Sequence, residues 1–277
     1  EIRGDGRTTR IGLIDKEGSV EDRLQRLSNG EVESYEISQE EFKNNDRYKI
    51  DFDSVDPTER TLIQKLESES VPLGDITDIS QGITPYDSYA GQAQEIIDNR
   101  AYHADEQVDE SYGKWLGGRD VSRYEIDWGG EWLSYGDWLA APREEKYFTS
   151  PRLLFREVTG GINRVISTYT ESEFYYGHSV IPAITEECDW SGEALLAVVN
   201  SRLLSWYNQK VSPNAQKETF PKMNPDDVKR LPVHKDMGQK ESTLKKEAKN
   251  LSSLKNQRSK LNTNLIDYID QNEVWVQ

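Results

Sequence analysis

Three stretches of the chain decide the fold: Phe155-Arg156-Glu157-Val158, Arg164-Val165-Ile166-Ser167-Thr168-Tyr169 and Ser179-Val180-Ile181-Pro182-Ala183-Ile184. They are rich in β-branched and aromatic residues, and turn-forming Gly, Asn, Asp and Ser separate them. Evenly spaced short strands with turn residues between them are typical of an antiparallel, sandwich-like or barrel-like core. The stretches therefore predict an α+β protein with an antiparallel β core and flanking helices.

Two helices are predicted on either side of this core. Asp56-Pro57-Thr58-Glu59 is a helix start, because Asp is a favoured N-cap and Pro is a favoured first helical residue. After the strands, Ser191 is expected to cap a single, mostly buried helix. The apolar stripe of that helix recurs at helical spacing along Leu195, Val199, Leu203 and Tyr207.

A much longer helix is predicted over residues 240–271. Its leucines recur at two heptad positions, and at 1.5 Å per residue it would span roughly 48 Å, which is longer than one compact domain covers. Arg258 interrupts the apolar seam. Two interpretations stay open: the helix docks on its own domain, or it extends as an arm or spacer that pairs with another helix.

The chain has 277 residues and a net charge of -16, which is spread unevenly. Residues 71–199 include 9 basic and 23 acidic side chains, whereas residues 200–277 include 14 basic and 9 acidic ones. Nucleic-acid-binding proteins are normally basic, because neutralising phosphates and releasing counterions supplies much of their affinity. The middle segment therefore argues against a nucleic-acid partner, unless acidic faces lie away from it. A halophilic source would account for the surplus of acids.

What the sequence lacks argues against several chemistries. Cys188 is the single cysteine and the three histidines are dispersed, so no metal-ligand spacing is present. No Gly-x-Gly loop opens a helix after a strand, and neither a phosphate-loop lysine motif nor a Gly-x-Ser-x-Gly nucleophile motif occurs, so we expect no dinucleotide or nucleoside triphosphate cofactor. No apolar run reaches the ~20 residues of a membrane span. We expect a cytoplasmic protein without a membrane partner, and a fragment of a longer chain.

Two other functions stay open on composition. The acidic middle segment would suit a protein-interaction module or an acidic DNA mimic, which would bind no duplex. Asp127 and Glu131, beside Trp128 and Trp132, would suit a carbohydrate-binding or glycoside-cleaving domain, although a solvated turn is the favoured interpretation. Such a site needs two carboxyls ~5 to 9 Å apart across a cleft, which proximity in sequence does not establish. Parallel aromatic rings lining a cleft with paired acids would favour that second alternative.

Five blocks of sequence follow one another in an order that resembles a known family. The order resembles the TaqI-like C-terminal specificity domain of Type IIG restriction enzymes and adenine-specific DNA methyltransferases, and is similar to the specificity subunits of Type I systems. The blocks are Leu73-Gly74-Asp75-Ile76 with Gln81-Gly82-Ile83-Thr84, Leu116-Gly117-Gly118-Arg119-Asp120-Val121-Ser122-Arg123-Tyr124, Ser150-Pro151-Arg152-Leu153-Leu154-Phe155-Arg156-Glu157, Asn200-Ser201-Arg202-Leu203-Leu204-Ser205-Trp206-Tyr207, and Phe220-Pro221-Lys222-Met223 with Arg230-Leu231-Pro232-Val233.

The resemblance implies a division of the chain and a function. Residues 71–235 would be a DNA target recognition domain, residues 1–56 the edge of a preceding methyltransferase domain, residues 57–70 a connecting helix and residues 236–277 a helical spacer. The implied partners are double-stranded DNA and the methyltransferase domain of the same parent chain. The parent would bind S-adenosylmethionine and magnesium and act as a methyltransferase or endonuclease, whereas this fragment would read sequence without catalysis.

Reading bases requires Arg or Lys against guanine and Asn or Gln against adenine. For Arg119 with Asp120, and for Arg156 with Glu157, an ion pair that holds the fold is the favoured interpretation. DNA contact is favoured for the loops over residues 160–164 and 214–222, and a cationic groove of duplex width is expected. The candidate DNA-binding residues are Arg119, Arg123, Arg152, Arg156, Asn163, Arg164, Asn214, Gln216, Lys217 and Lys222.

Overall fold

The computed structural model describes residues 7–14, 18–39, 57–159, 164–215, 221–236, 238 and 240–271. The chain divides into two compact units, residues 1–61 and residues 62–277. In the smaller unit, β1 (Thr8–Leu13) pairs antiparallel with β2 (Glu33–Ser38), and α1 (Val20–Asn29) lies between them in sequence. The Ser19 hydroxyl caps α1 by accepting a hydrogen bond from the Asp22 backbone N–H at 3.2 Å.

The larger unit contains short strands and helices of very different length. The strands are β3 (Ser70–Pro72), β4 (Asp78–Ile79), β5 (His103–Ala104), β6 (Tyr112–Leu116), β7 (Val121–Ser122), β8 (Glu125–Ile126), β9 (Trp132–Ser134), β10 (Arg152–Arg156), β11 (Ser167–Thr170), β12 (Tyr175–Tyr176), β13 (Val180–Ile184) and β14 (Pro232–His234). The helices that follow β2 in the chain are α2 (Pro57–Ser68), α3 (Gln94–Asp98), α4 (Lys146–Thr149), α5 (Gly192–Val199), α6 (Arg202–Val211), α7 (Pro225–Lys229) and α8 (Glu241–Gln271). Short 3₁₀ turns occur at Leu73–Asp75, Ser88–Ala90 and Gly118–Asp120.

The central sheet has the strand order β11-β10-β13-β4, and every pairing in it is antiparallel. Leu154 of β10 lies opposite Thr168 on one side and Pro182 on the other. The α+β class with an antiparallel core is therefore confirmed. Two of the three predicted strands are displaced. β10 ends at Arg156 and so overlaps the predicted stretch 155–158 at two residues only, and β11 begins only at Ser167 rather than at Arg164.

Strand β10 separates two apolar cores. Leu153 and Phe155 pack on one side of the sheet with residues of α5, α6 and α7, whereas Leu154 packs on the other side with Phe148. All three of the β10 residues are fully buried. Because successive side chains of a strand point to opposite faces, both faces of β10 are covered.

The second core is completed by an outer sheet with the order β12-β6-β9-β5. It is rich in aromatic side chains, including Trp115 and Tyr176. Gly82 lets the chain approach this sheet closely, since a Cβ there would lie 2.2 Å from the Gly177 carbonyl oxygen. That approach allows the Ile83 N–H to donate to the Tyr176 carbonyl at 2.8 Å. The segment after β4 is therefore fixed against β12 by its backbone.

The single helix predicted after Ser191 is wrong, because the chain breaks at Asn200 and Ser201 into α5 and α6. The Ser201 hydroxyl caps the second helix by accepting from the Leu204 N–H at 3.1 Å. Ser191 occupies the N-cap position of α5, but its hydroxyl makes no capping bond. Its N–H instead donates to a carboxylate oxygen of Glu241 at 2.9 Å.

The long C-terminal helix is confirmed as α8, which at 1.5 Å per residue is about 46 Å long. Its first part docks on α5, where Ala248 is buried and Leu244 packs against the first core. Farther along, Leu254 is 61% exposed and Leu261 is 68% exposed. The helix therefore begins as a docked element and continues with exposed leucines. The helix predicted at Asp56 is present as α2, and Asp56 itself lies outside the described residues.

His103 lies in an aromatic cluster of the outer sheet. The Tyr86 hydroxyl bonds to His103 Nδ1 at 2.8 Å, and the Trp115 ring meets the imidazole edge-on at a centroid distance of 4.9 Å. The Nε2 atom is buried and has no partner among the described residues. Burial, reinforced by the nearby Arg100 cation, lowers the pKa of His103 to about 4.

This pKa predicts a pH-dependent loss of stability. Between about pH 6.5 and 4, His103 is protonated in the unfolded chain but stays neutral in the folded chain. The free energy of unfolding is therefore highest above this window and falls as the pH drops through it. His103→Asn keeps a partner for Tyr86 and does not titrate. From pH 7 to pH 5 the urea midpoint of the wild type should fall more than that of this variant, and equal falls would contradict the assignment. His178→Asn, at an exposed histidine, is the matched control and should behave like the wild type.

Candidate nucleic-acid interface

The antiparallel order brings several predicted site residues to one edge of the central sheet. Because β10 runs opposite to both neighbours, its last residue lies beside the first residues of β11 and β13. The Arg156 N–H donates to the Ile166 carbonyl at 3.0 Å, and the Glu157 N–H donates to the Ser179 carbonyl at 2.9 Å. We call this surface the cationic edge and define it by Arg119, Arg156, Arg164, Arg202 and Lys222.

Two loops reach the cationic edge from outside the sheet. The backbone of Lys222 bridges to Val158, and its N–H donates to the Asn214 carbonyl at 3.2 Å. On the other side, the turn Gly118–Asp120 lies against Ser179, whose Cβ would be 3.0 Å from a Cβ at Gly118. These contacts place Lys222 and Arg119 near the end of β10.

The break between α5 and α6 anchors a third element to this edge. The Asn200 side chain accepts from the Ser167 N–H at 3.1 Å and donates to the Ser167 carbonyl at 2.9 Å. The Ser205 hydroxyl accepts from the Val165 N–H at 3.2 Å. Since β11 is the outermost strand of the central sheet, these side chains satisfy backbone groups that a further strand would otherwise bond. Arg202, at the start of α6, is thereby held beside the start of β11 and is exposed.

Arg152 is not part of any exposed surface, and its prediction as a DNA contact is wrong for this structure. It is fully buried at the opposite end of β10. Its guanidinium donates to the Tyr176 hydroxyl at 2.9 Å and to the carbonyls of Ser150 and Ser172 at 2.7 and 3.0 Å. These bonds offset the cost of burying a charge, so Arg152 holds the fold.

Arg123 is partly buried and also has a structural role. Its guanidinium donates to the Asn200 carbonyl and lies over the Tyr124 ring at 5.7 Å from the centroid. Its Nε atom is buried without a partner in the described part of the chain. In this conformation Arg123 ties β7 to the helix break, which corrects its prediction as a base contact.

The ion pairs expected for Arg119 and Arg156 are not formed. Glu157 pairs instead with Lys222, with an N–O distance of 3.1 Å. Asp120 accepts from the Gly117 N–H at 2.8 Å, and burial raises the pKa of its carboxyl. Neither arginine makes an ion pair with any residue that the structure describes. Both therefore remain available to an external ligand.

The other candidates divide into two groups. Arg164 is partly exposed at the cationic edge, whereas Asn214 is partly buried and uses its carbonyl to hold Lys222. Asn163, Gln216 and Lys217 lie outside the described residues. Arg202 was missed, because the apolar period continues through residues 195–207 and conceals the helix break. The Asn-Ser pair that precedes Arg202 is a recognisable N-capping signal that would have revealed it.

The opposite end of the central sheet is acidic. A cleft of about 540 Å³ is lined there by a single lysine, Lys146, and four acids, Asp75, Asp78, Glu186 and Glu187. Lys146 pairs with Asp78 at 2.8 Å, and this hydrogen bond holds the pKa of the Asp78 carboxyl below its ordinary value.

A second cleft of about 580 Å³ lies beside α8 and contains Lys249 and Lys260 against one acid, Glu193. Charge is therefore separated along the strands, with cations gathered at an edge.

The residues that suggested a carbohydrate site do not form one. The rings of Trp128 and Trp132 meet edge-on at an angle of 87°. Glu131 pairs with Arg100 at 2.7 Å, and its carbonyl accepts from the Trp128 indole N–H at 3.0 Å. A sugar-binding site needs an open ring face beside free carboxylates. Here the Glu131 carboxylate is paired and the two rings pack against each other, so these residues stabilise a turn.

Among the described residues, no group of three or more His, Cys, Asp or Glu side chains is placed to hold a metal ion. No helix in the described part of the chain is long and apolar enough to cross a bilayer.

Comparisons with known proteins give one family. Residues 113–233 match the model of the TaqI-like C-terminal specificity domain. No curated protein matches the chain. A solved chain from work on the structural basis of complex assembly and conformational transition of a type I R-M system aligns over 90% of this chain, at 14% identity and a TM-score of 0.38. The present chain spans 54% of that chain's length.

The Asn200 side chain should be essential to the cationic edge. Asn200→Ala leaves the buried N–H of Ser167 without a partner, whereas the Ser167 carbonyl keeps its bond from the Tyr124 N–H at 3.1 Å. An unmet buried group costs about 1–3 kcal/mol. We expect a loss of about 2 kcal/mol in the free energy of unfolding, measured by urea denaturation. Asn200→Asp keeps an acceptor but turns a carboxylate oxygen toward the Ser167 carbonyl, so it should also destabilise the fold. A loss below about 1 kcal/mol in both variants would contradict this role.

Proposed function

We propose that this chain reads the sequence of duplex DNA for a restriction-modification system, because residues 113–233 match the model of the TaqI-like C-terminal specificity domain. Its cationic edge would face the DNA, and the chain would bind without catalysing. Double-stranded DNA and a methyltransferase domain of the same parent chain are the proposed partners. S-adenosylmethionine and magnesium would be bound by other parts of such a parent, and no step of this proposal involves them.

The gathering of cations at one edge is the observation that carries the proposal. Arg156 and Arg164 end or precede strands of a rigid sheet, and Arg119 and Arg202 lie on short elements packed against it. Arginines on such supports can reach base edges in the major groove with the defined geometry that bidentate contacts to guanine require. Lys222 neutralises Glu157, the acid nearest to the end of β10.

The net negative charge of the chain is compatible with this orientation. Arg152 and Arg156, at the two ends of β10, are four residues apart, which corresponds to roughly 14 Å along a strand. The Debye length is about 8 Å at physiological ionic strength, so the carboxylates of the opposite end are largely screened from DNA bound at the cationic edge. The surplus of acids would then reduce long-range attraction without abolishing the contact itself.

Removing cations from the edge should weaken DNA binding. The double variant Arg156→Gln with Arg164→Gln is measured as the full chain, against a duplex selected from a random pool and a mixed-sequence duplex, over a series of salt concentrations. If both side chains contact phosphates, the slope of log affinity against log salt should flatten by about 1.8 on both duplexes. If they contact bases, the loss should be greater on the selected duplex, by about 1–3 kcal/mol for each contact.

The matched control removes the same charge from the acidic end. Lys146→Gln with Lys229→Gln changes two exposed lysines near Asp78. This variant should bind both duplexes like the wild type. Equal behaviour of the edge variant, the control and the wild type would show that the cationic edge does not face DNA. A wild type that binds no duplex would favour the acidic protein-interaction alternative.

A further inference from the structure

Helix α8 runs toward the cationic edge. Near its start, Glu241 accepts from the Ser191 N–H, and four residues later Lys245 pairs with Glu193, so α8 and α5 run in the same direction. α5 ends at the Asn200 break, on the cationic edge. α8 also contacts β8, whose partner β7 directly follows the turn that carries Arg119, and α8 is much longer than α5. The distal part of α8 therefore extends past the same edge.

One face of α8 lines the cleft of about 580 Å³. The residues of this face are spaced three and four apart, as one side of a helix requires. They carry ammonium, hydroxyl and amide groups and are Lys249, Ser252, Ser253, Asn256, Gln257 and Lys260. Tyr169 and Leu196 lie across the cleft. Lys, Ser, Asn, Gln and Tyr side chains are common ligands of phosphate oxygens in protein–DNA complexes.

The lysines near the start of this face form ion pairs, whereas the lysine at its far end does not. Glu193, the acid of the cleft, is paired with Lys245 at 3.7 Å and with Lys249 at 3.1 Å at the proximal end. Lys260, at the distal end, is exposed and makes no ion pair with any residue in the described ranges. Between Glu247 and Asp267 the sequence of α8 contains no acid. The distal end of the cleft is therefore a cationic, donor-rich surface.

We infer that the distal end of this cleft, with Asn256, Gln257 and Lys260, binds the phosphate backbone of duplex DNA outside the bases read at the cationic edge. This inference rests on the proposed function and extends it, because it assigns to α8 a contact with flanking DNA. Such a contact adds affinity that does not depend on sequence. It also fixes the direction in which the duplex leaves the cationic edge.

Lys260→Gln tests the inference, and Arg258→Gln on the same helix is the matched control. Arg258 is exposed and is not part of the cleft face; it lies on the side of the exposed Leu254 and Leu261. The full-length chain is measured against a selected duplex in a 30-bp form and in a form trimmed to about 12 bp. For the long duplex, Lys260→Gln should flatten the slope of log affinity against log salt by about 0.9. The factor by which the variant binds more weakly than the wild type should therefore be roughly eightfold larger at 0.1 M salt than at 1 M salt.

The trimmed duplex separates this contact from the cationic edge. Without flanking phosphates, Lys260→Gln should bind like the wild type, whereas Arg258→Gln should bind like the wild type at both lengths. Equal effects of the two variants on the long duplex, or an undiminished effect of Lys260→Gln on the trimmed one, would overturn the inference. Loss of binding by the edge variants alone would then leave the proposed function standing while the inference about α8 fails. A wild type that binds neither duplex would overturn both.

Discussion

The burial of β10 on both faces is the constraint on which the rest of the structure depends. Leu153 and Phe155 belong to one core and Leu154 to the other, so the middle of this strand presents no side chain to solvent. The polar side chains of β10 are therefore confined to its two ends, at Arg152 and Arg156. An antiparallel sheet gathers those ends from neighbouring strands, which is why side chains far apart in sequence meet at the cationic edge.

Arg152 and Arg156 show how strongly position within one strand determines a side chain's role. They flank the same Leu-Leu-Phe run, but Arg152 enters the interior and fills its hydrogen bonds with Tyr176 and backbone carbonyls. Arg156 lies where the strand leaves the sheet and stays partly exposed. Breaking the bonds of a buried arginine leaves an uncompensated charge, so the first residue is fixed by stability. The second can vary without that cost.

The sequence predicts the features that depend on local pattern. The three β-rich stretches predicted the neighbourhood of β10, β11 and β13, with accurate bounds only for β13, and the heptad leucines predicted α8 to within one residue at its start. The break at Asn200 depends on a partner in β11, 33 residues away, and an apolar period cannot reveal such a contact. The same limit applies to Glu157, whose partner is Lys222 rather than the adjacent arginine. Residue type was thus enough to identify candidates for DNA contact. Whether each side chain is buried, paired or exposed depends on contacts between residues far apart in the sequence.

The separation of charge along the central sheet gives the molecule a preferred direction of approach to a polyanion. Acids at one end and cations at the other form a dipole that favours collisions at the cationic edge over those elsewhere. Because the net charge is -16, this attraction is weaker than in a basic protein, and screening shortens its range further. If the edge binds DNA as proposed, the binding energy would come mainly from close contacts, namely hydrogen bonds to bases and phosphates and the fit to DNA shape. A weak electrostatic attraction lowers the affinity for every sequence, and non-specific binding depends on that attraction most. The ratio of specific to non-specific affinity would therefore be higher than for a basic surface.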